Sequence, residues 1–384
     1  MNNMAIQDIL MFDETLFKNI SAFNPEYMPE NYNFRDNQME AMAYALRPAL
    51  KGGMPSNAVI LGPCATGKTT AVKKVFDLIE NTSDKIKCCY INCQLNTTRF
   101  GIFSQIHEKL FGHKPPETGV PFATIYQKVM KNLTDNDTSL IVAFDDANFI
   151  FQNKNANKVF YDILRAYEEF PTVHTGIFVI LSELEFRFAL DKNVKTVFIP
   201  QDITFEPYSH SQILSILSDR VKMGFYPNVI SDDLVRQISD YTFETGDLRE
   251  GIDILRVCGN IAESEASKKI TQKHLDKALS KHVSYNLLET LKSLNDKEFA
   301  LLKLIVKEDE SINKDEILTV TKVSEKFKEQ TKSSYASFNR ILEKLEFLRL
   351  VDTKLTGKGI RGNSRQIFLR FDPDDLNCTD INFS

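Results

Sequence analysis

Apolar residues in the first half of the chain form short runs that are separated by stretches with helical spacing. The runs at 57–62, 139–145 and 176–181 are apolar nearly throughout, which is typical of strands that are buried on both faces of a sheet. Amphipathic stretches lie between them, and a further short strand is predicted at 196–199. Strands that alternate with helices predict an α/β fold with a parallel sheet covered by helices on both sides.

The pattern changes twice in the second half of the chain. Between 207 and 285 only amphipathic helices follow one another, each opening near a Ser, Thr, Asp or His residue. From 286 to 384, three amphipathic helices precede two short strands joined by the basic, glycine-rich segment TGKGIRGNS. Three helices followed by a β-hairpin is the winged-helix arrangement. We therefore predict an α/β base at 1–206, a helical domain at 207–285 and a winged-helix domain at 286–384.

Composition is that of an ordinary globular protein. The 384 residues are 42% hydrophobic and 26% charged, so packed domains are expected rather than long disordered stretches. No apolar run approaches the ~20 residues that a membrane span needs. The first residues also lack the pattern of a signal peptide. We therefore expect a cytoplasmic protein with no membrane partner.

Charge is distributed unevenly along the chain. The formal net charge is −5, but residues 311–370 hold 13 Lys/Arg against 7 Asp/Glu, a local charge of +6 in an otherwise acidic protein. A polyanion such as DNA is expected to bind there, although a solvated basic loop is the competing interpretation. Candidate contacts lie near the start of the predicted recognition helix and in the hairpin: Lys332, Ser334, Ser337, Arg340, Lys358, Arg361 and Arg365.

The segment GPCATGKT, at 62–69, follows the first apolar strand and opens the next helix. This is the spacing of a phosphate-binding loop, in which backbone N–H groups surround the phosphates and the lysine adds a cation. We predict ATP as the ligand. The expected contacts are Gly62, Pro63, Cys64, Ala65, Thr66, Gly67, Lys68, Thr69 and Thr70.

Two carboxylates, Asp145 and Asp146, follow the apolar run at 139–145. Asp145 is predicted to hold Mg²⁺ together with the hydroxyl of Thr69, and Asp146 to polarise the attacking water. A helix cap is the structural alternative for an acidic pair after a strand. The phosphate-binding loop nearby favours the functional interpretation.

The order of these elements resembles that of the AAA+ ATPases and, within them, the archaeal replication initiators related to the origin recognition complex. The similarity covers nearly the whole chain, and GDLREGIDILR is its most specific segment after the phosphate-binding loop. The resemblance implies ATP bound between an AAA+ base and a helical lid, and a winged helix on double-stranded origin DNA. It further implies association with the nucleoid, recruitment or loading of the replicative helicase, and a monomer in solution or several copies on DNA.

The resemblance also assigns roles to individual residues. Arg249 matches the lid arginine that reaches the γ-phosphate, and Tyr208 and Arg220 match positions that line the nucleotide pocket. The segment at 153–170 matches an extra helix that the initiators place against DNA. For this segment an ordinary helix covering the sheet is the favoured interpretation.

Three departures from the family pattern concern hydrolysis. Asp146 stands where glutamate is usual, and Glu183 stands where asparagine is usual, which would set a like charge against the γ-phosphate. Asn193 stands where a basic finger residue is common, and Lys192 or Lys195 would have to replace it. We therefore expect nucleotide binding with slow ATP hydrolysis.

Two other functions fit the same sequence. One is a regulatory AAA+ ATPase whose winged helix contacts proteins instead of DNA. The other is a nucleotide-sensing transcription regulator that has no helicase partner. The basic hairpin segment favours duplex DNA over a protein surface.

Overall fold

The computed structural model describes residues 15–29, 32–116, 118–152, 155–182, 190–311, 318–348, 350–355 and 365–371. The chain forms two compact units. The first extends to Gly259 and includes Ser267–Lys269, and the second consists of Asn260–Ala266 and the chain from Ile270 onward. The two units divide within the predicted helical domain at 207–285, and the predicted boundaries at 206 and 285 stay predictions.

A five-stranded parallel sheet lies at the centre of the first unit, with the strand order β2–β3–β4–β1–β5. Its strands are β1 (Asn57–Leu61), β2 (Ile86–Asn92), β3 (Ser139–Asp145), β4 (Thr175–Leu181) and β5 (Pro200–Thr204). Every side chain of β1, β3 and β4 is buried, which explains their apolar sequences. The predicted α/β class with a parallel sheet is confirmed.

The strand predicted at 196–199 is wrong. Thr196 and Val197 continue a turn after a short helix, and β5 begins at Pro200. Proline is tolerated at the first residue of an edge strand because no ladder hydrogen bond is lost there. Three of the five side chains of β5 are exposed, so this strand carries no apolar run that would reveal it.

Helices cover both faces of the sheet. One hydrophobic cluster joins α1 and α2 to alternate residues of the strands, and a second joins α3, α4 and α6 to the opposite face. The helices of this layer are α1 (Asp36–Leu50), α2 (Lys68–Thr82), α3 (Arg99–Phe111), α4 (Phe122–Asp135), α5 (Asn148–Gln152), α6 (Ala156–Leu164) and α7 (Lys192–Lys195). Short 3₁₀ helices occur at Ile20–Phe23 and Ala166–Glu168.

Helices replace strands after β5. They are α8 (His210–Gly224), α9 (Asp232–Thr245) and α10 (Leu248–Ser264). The side chain of Ser209 accepts a hydrogen bond from the backbone of Gln212, whose side chain accepts one in return, so α8 begins with a capping box. Residues 15–29 form a strap along α8, where Phe23 contacts Phe225 with ring centroids 4.7 Å apart.

The second unit contains helices and a β-hairpin, and the last three of these helices precede the hairpin directly. Its elements are α11 (Gln272–Lys292), α12 (Asp296–Ser311), α13 (Val320–Thr331), α14 (Tyr335–Phe347), β6 (Val351–Leu355) and β7 (Arg365–Leu369). β6 and β7 are antiparallel, and an isolated bridge joins Thr319 to Gln366 beside them. Phe327, Phe338 and Leu342 are buried between the helices. This is the winged-helix arrangement predicted from the sequence.

None of the helices within the described ranges combines the length and the apolar character needed to cross a membrane.

Candidate nucleotide site and candidate DNA interface

The predicted phosphate-binding loop connects β1 to α2 at the carboxyl edge of the sheet. Gly62 and Gly67 have φ angles of 152° and 88°. A Cβ atom on Gly62 would lie 2.2 Å from the carbonyl oxygen of Phe205, and one on Gly67 would lie 2.1 Å from the hydroxyl of Tyr32. Both the backbone conformation and the close packing therefore require glycine at these two positions.

Lys68 lies inside this loop. Its Nζ donates hydrogen bonds to the carbonyl oxygens of Gly62 and Pro63, both at 2.7 Å. The residue is buried, and burial lowers the pKa of its ammonium group. An incoming phosphate would compete with the two carbonyls for this ammonium group and would supply the negative charge that they lack.

Asp145 connects the loop to the sheet. One carboxylate oxygen, Oδ2, accepts hydrogen bonds from the hydroxyls of Thr69 at 2.6 Å and Tyr90 at 2.7 Å. The other, Oδ1, accepts one from the backbone N–H of Asp146 at 3.0 Å. The hydroxyl and carboxylate oxygens of Thr69 and Asp145 are the kind of ligand that Mg²⁺ prefers. The structure brings these two residues together as predicted.

Asp146 is held in a left-handed conformation with a φ angle of 50°. Its Oδ2 accepts a hydrogen bond from Nε2 of Gln94 at 3.1 Å. Burial raises the pKa of the Asp146 carboxyl, with the charge of Asp145 adding to the effect, whereas Lys68 and Arg249 lower it. The predicted catalytic carboxylate therefore lies beside the phosphate-binding loop, in an environment that disfavours its ionised form.

A cavity of ≈ 340 Å³ opens beside the loop. Three parts of the chain enclose it: the second half of the phosphate-binding loop, the strap that precedes α1, and helices α8 and α10. The predicted nucleotide contacts that line it are Ala65, Thr66, Gly67, Lys68, Thr69, Thr70, Tyr208, Arg220 and Arg249. Gly62, Pro63 and Cys64 form the first half of the loop and do not line the cavity.

Arg249 stands at the first turn of α10. Its guanidinium binds the carboxylate of Asp247 through Nη2 at 2.9 Å and Nε at 3.1 Å. This pairing raises the pKa of Arg249, and the thiol of Cys64 adds a smaller contribution. Arg249 is partly exposed, so it can exchange Asp247 for another anion without leaving a buried charge unpaired.

Arg220 lines the cavity but directs its guanidinium to the strap. Its Nη1 donates to the carbonyl oxygen of Ala22 at 2.9 Å, and its guanidinium carbon lies 4.8 Å from the ring centroid of Tyr27. Burial lowers the pKa of Arg220. Arg220 therefore anchors the strap, and direct contact with the nucleotide stays a prediction.

The candidate DNA interface lies at the start of α14. Lys332, which ends α13 with a φ angle of 53°, is exposed, as is Arg340 one turn into α14. Ser334 caps α14 by accepting a hydrogen bond from the backbone N–H of Ser337 at 3.3 Å. Ser334 is therefore exposed and also stabilises the first turn of α14.

Some other lysines of the winged helix are paired with buried carboxylates. Lys326 binds the buried carboxylate of Glu308 at 2.6 Å, and Lys344 binds that of Glu298 at 2.7 Å. Lys332 and Arg340 form no ion pair with any residue that the structure describes. The start of α14 therefore presents cations whose charge is not neutralised locally.

Similarity to known proteins decides the family. Residues 214–280 match the Cdc6 AAA+ ATPase-type lid domain. Over 371 residues the chain is 58% identical to ORC1-type DNA replication protein 2 of Methanothermobacter thermautotrophicus, which covers 97% of this chain and 96% of that protein. The chain belongs to the family of ORC1-type DNA replication proteins.

Solved structures confirm the fold of this ORC1-type protein. The Aeropyrum pernix ORC1 protein in complex with DNA aligns with a TM-score of 0.67 at 24% identity, covering 95% of this chain and 97% of that one. The Aeropyrum pernix ORC2 protein, solved as ADPNP–ADP complexes, aligns with a TM-score of 0.68 at 21% identity, covering 92% and 94%. The predicted AAA+ architecture with a lid and a winged helix is confirmed.

Seven further residues were singled out in the sequence, and the structure describes four of them. Glu183, Lys358 and Arg361 lie outside the described residues. Arg365 is half-buried, and its Nη2 is 3.4 Å from Oδ1 of Asn339. Lys192, Asn193 and Lys195 are exposed on α7, where the carbonyl of Asn193 accepts a hydrogen bond from Thr196 at 2.9 Å.

The segment at 153–170, which was compared with the extra helix of the initiators, contains α6. Val159, Phe160 and Ile163 are buried against the sheet. Helix α6 therefore covers the sheet, as the favoured interpretation predicted.

Sequence reasoning missed one wall of the cavity and one feature of α14. Tyr27, Met28, Pro29, Tyr32 and Asn33 line the cavity from the strap side. They carry no motif of their own, and the only signal was the density of aromatic residues and prolines in this segment. On α14, the ring of Tyr335 is 58% exposed and stacks on Phe338.

Proposed function

We propose that this ORC1-type protein is an ATP-regulated replication initiator that binds double-stranded origin DNA and helps to recruit or load the replicative helicase. One observation supports the nucleotide part above all others. The second half of the phosphate-binding loop and the lid residue Arg249 line a single cavity, and Thr69 of that loop also donates a hydrogen bond to Asp145. A phosphate-binding loop with one cation of its own, Lys68, and a second cation lining the same cavity, Arg249, is suited to a nucleoside triphosphate.

In this proposal each residue has a defined role when ATP is bound. Lys68 leaves the carbonyls of Gly62 and Pro63 for the β- and γ-phosphates, and Arg249 leaves Asp247 for the γ-phosphate. Thr69 and Asp145 would hold Mg²⁺, which would neutralise phosphate charge. No cluster of three or more His, Cys, Asp or Glu residues within the described ranges offers a metal site. The ion would therefore depend on nucleotide and water for its other ligands, as Mg²⁺ commonly does.

We propose that hydrolysis is slow. Asp146 has a side chain one methylene shorter than the glutamate that is usual in the family, so its carboxylate is expected to position the attacking water less well. Gln94 holds one carboxylate oxygen. A protein that binds ATP firmly and turns it over slowly acts as a switch, not as a motor.

DNA binding is assigned to the winged helix. The exposed Lys332 and Arg340 face no carboxylate among the described residues, and α14 corresponds to the recognition helix of the fold. Duplex DNA is the partner that best fits such cations on a basic segment of an acidic chain. Several copies on one origin and association with the nucleoid would follow from this role.

The decisive experiment combines genome occupancy with helicase recruitment. We expect the protein to occupy one or a few discrete sites, and helicase subunits to be enriched there only while ATP binding is intact. Occupancy that is confined to promoters, with no helicase enrichment, would identify a transcription regulator instead. ATP turnover near ~10 s⁻¹, the median for enzymes, would contradict the slow switch.

A further inference from the structure

Arg35 connects the phosphate-binding loop to the linker that precedes the lid. It is 4% exposed and stands at the residue before α1. Its Nε donates to the carbonyl oxygen of Thr66 in the loop at 3.0 Å. Its Nη2 donates to the carbonyl oxygen of Glu206 at 2.6 Å, in the segment between β5 and α8. One side chain therefore joins two elements that are separated by 140 residues along the chain, Thr66 and Glu206.

Aromatic contacts fix the guanidinium of Arg35. Its central carbon lies 3.9 Å from the ring centroid of Tyr208 and 5.5 Å from that of Phe205. A guanidinium stacked on an aromatic face has a defined plane, and its N–H groups then point in fixed directions. Tyr208 also lines the cavity, so any movement of Arg35 is transmitted to the nucleotide pocket.

Tyr32, which lies three residues before Arg35, also binds the phosphate-binding loop. The hydroxyl of Tyr32 donates to the carbonyl oxygen of Gly67 at 2.6 Å. On the other side, the backbone N–H of Phe205 donates to the carbonyl oxygen of Leu61 at 2.7 Å. The loop and the linker are therefore connected directly at the sheet edge and through Arg35 across the rings of Phe205 and Tyr208.

Stability alone does not explain a buried arginine here. Arg35 forms no ion pair with any carboxylate that the structure describes, and it binds only backbone carbonyls. Burial of a charge without a counter-ion is costly, and an apolar side chain would fill the same space at less cost. A hydrogen-bonded connection, unlike an apolar contact, changes with the orientation of the peptide groups that it binds.

We propose that Arg35 is a positioning residue that couples the state of the phosphate-binding loop to the lid. This inference rests on nucleotide binding as proposed above. When the N–H groups of the loop turn toward a phosphate, the carbonyl groups of the same peptides turn with them. Arg35 then transmits the reorientation of the Thr66 carbonyl to Glu206 and Tyr208, and from there to α8.

The test measures coupling separately from binding. ADP affinity is determined by calorimetry, and amide hydrogen exchange in α8 is followed with and without ADP. The variants are Arg35→Met and Arg35→Lys. Arg99→Met serves as the matched control, because Arg99 is likewise stacked on an aromatic ring, that of Phe122 at 3.7 Å, but pairs with Asp162 on α6.

We expect ADP to slow exchange in α8 of the wild-type protein and of Arg99→Met. Arg35→Met should bind ADP about tenfold more weakly and lose most of the ADP-dependent slowing. Arg35→Lys keeps the charge but can reach only one of the two carbonyls at a time, so it should retain part of the coupling. If Arg35→Met does not fold, as judged by circular dichroism, Arg35→Lys decides the question.

The coupling role of Arg35 and nucleotide binding by the protein would be contradicted by different results. If an Arg35 variant folds, binds ADP and shows the full wild-type slowing in α8, the coupling role is wrong and nucleotide binding stands. If the wild-type protein does not bind ADP, the proposed nucleotide function itself is wrong, and the coupling role is withdrawn with it.

Discussion

The candidate nucleotide site and the start of α14 hold their charges in opposite ways. At the nucleotide site, Lys68 is buried and bound to two carbonyls, and Asp145 is bound by two hydroxyls. At the start of α14, Lys332 and Arg340 are exposed and form no ion pair with the described residues. The first arrangement fixes charges in space, whereas the second leaves them in solvent.

This difference matches the ligands proposed for the two regions. A nucleotide places a few phosphates at fixed points, so the groups that bind them are useful only if they are held in place. A DNA backbone presents phosphates at regular intervals, and long flexible cations can meet them without prior fixation. Single changes should therefore have large effects at the nucleotide site and small, additive effects at α14.

The largest effect is expected for Lys68→Ala. Loss of the only cation inside the loop should reduce ADP and ATP affinity by about 100-fold or more, since a charge-assisted hydrogen bond contributes ~1.5–3 kcal/mol and Lys68 would make more than one. The fold should persist, because the lysine binds only loop carbonyls. Lys85→Ala removes an exposed lysine of the same unit and should bind normally. Calorimetry that finds equal affinities for both variants would refute the assignment.

Arg220→Ala tests whether this arginine serves the strap or the nucleotide. Its removal leaves the carbonyl of Ala22 without its donor, so we expect a loss of about 2 kcal/mol in stability. Trypsin should then cut the strap at Lys18 faster than in the wild type. The control, Arg236→Ala, removes an exposed arginine that is paired with Asp233 on α9. A large loss of ATP affinity with an intact strap would instead show that Arg220 contacts the nucleotide.

Buried strands and the local motif were predictable from the sequence for clear reasons. β1, β3 and β4 are buried on both faces, so their sequences are apolar along the whole strand. β5 is an edge strand with a polar sequence, and the apolar residues before it misled the prediction. Helix α4 was not predicted, although its buried Ile125, Val129 and Leu133 follow helical spacing.

At the candidate site, too, local features could be predicted from the sequence and long-range contacts could not. The phosphate-binding loop is a contiguous segment whose spacing reports its geometry directly. The opposite wall comes from Tyr27 and Tyr32, and Arg35 bonds to a residue 171 positions away. Contacts over such distances leave no periodicity in the sequence. Arg220 lines the cavity, but its bonds to the strap could not be inferred from the residues around it.

At α14 the expected effect is moderate and additive. Lys332→Ala combined with Arg340→Ala should weaken duplex binding without changing ATP affinity. Each lost phosphate contact should lower the slope of log K against log salt by ~0.9, or ~1.8 for the pair. Lys307→Ala on α12 removes an equally exposed cation and is the control. An unchanged slope in the double variant would mean that the start of α14 does not contact phosphate, and would favour a protein partner for the winged helix.

The smallest effect concerns the charge of Asp146 in the nucleotide-free protein. Burial and Asp145 raise its pKa in the folded state, so the folded protein binds this proton more readily than the unfolded chain, where the pKa is about 3.9. The stability linked to this proton is complete below about pH 3.9 and is lost as the pH rises through the folded pKa. Asp146→Asn carries no such charge, so at pH 7 it should melt higher than the wild type by on the order of 1 °C.

The gain from Asp146→Asn should shrink as the pH falls toward 4, and melting curves at constant ionic strength between pH 4 and 8 measure this. Asp137→Asn is the matched control, because Asp137 has a similar φ angle of 49° but is exposed beside Lys85. Asparagine can itself stabilise a left-handed conformation, and subtracting the effect of Asp137→Asn from that of Asp146→Asn removes this contribution. If the melting temperatures of both variants depend on pH as that of the wild type does, the ionised carboxylate of Asp146 does not lower the stability of the protein. The contrast between fixed charges at the nucleotide site and free charges at α14 would then not extend to Asp146.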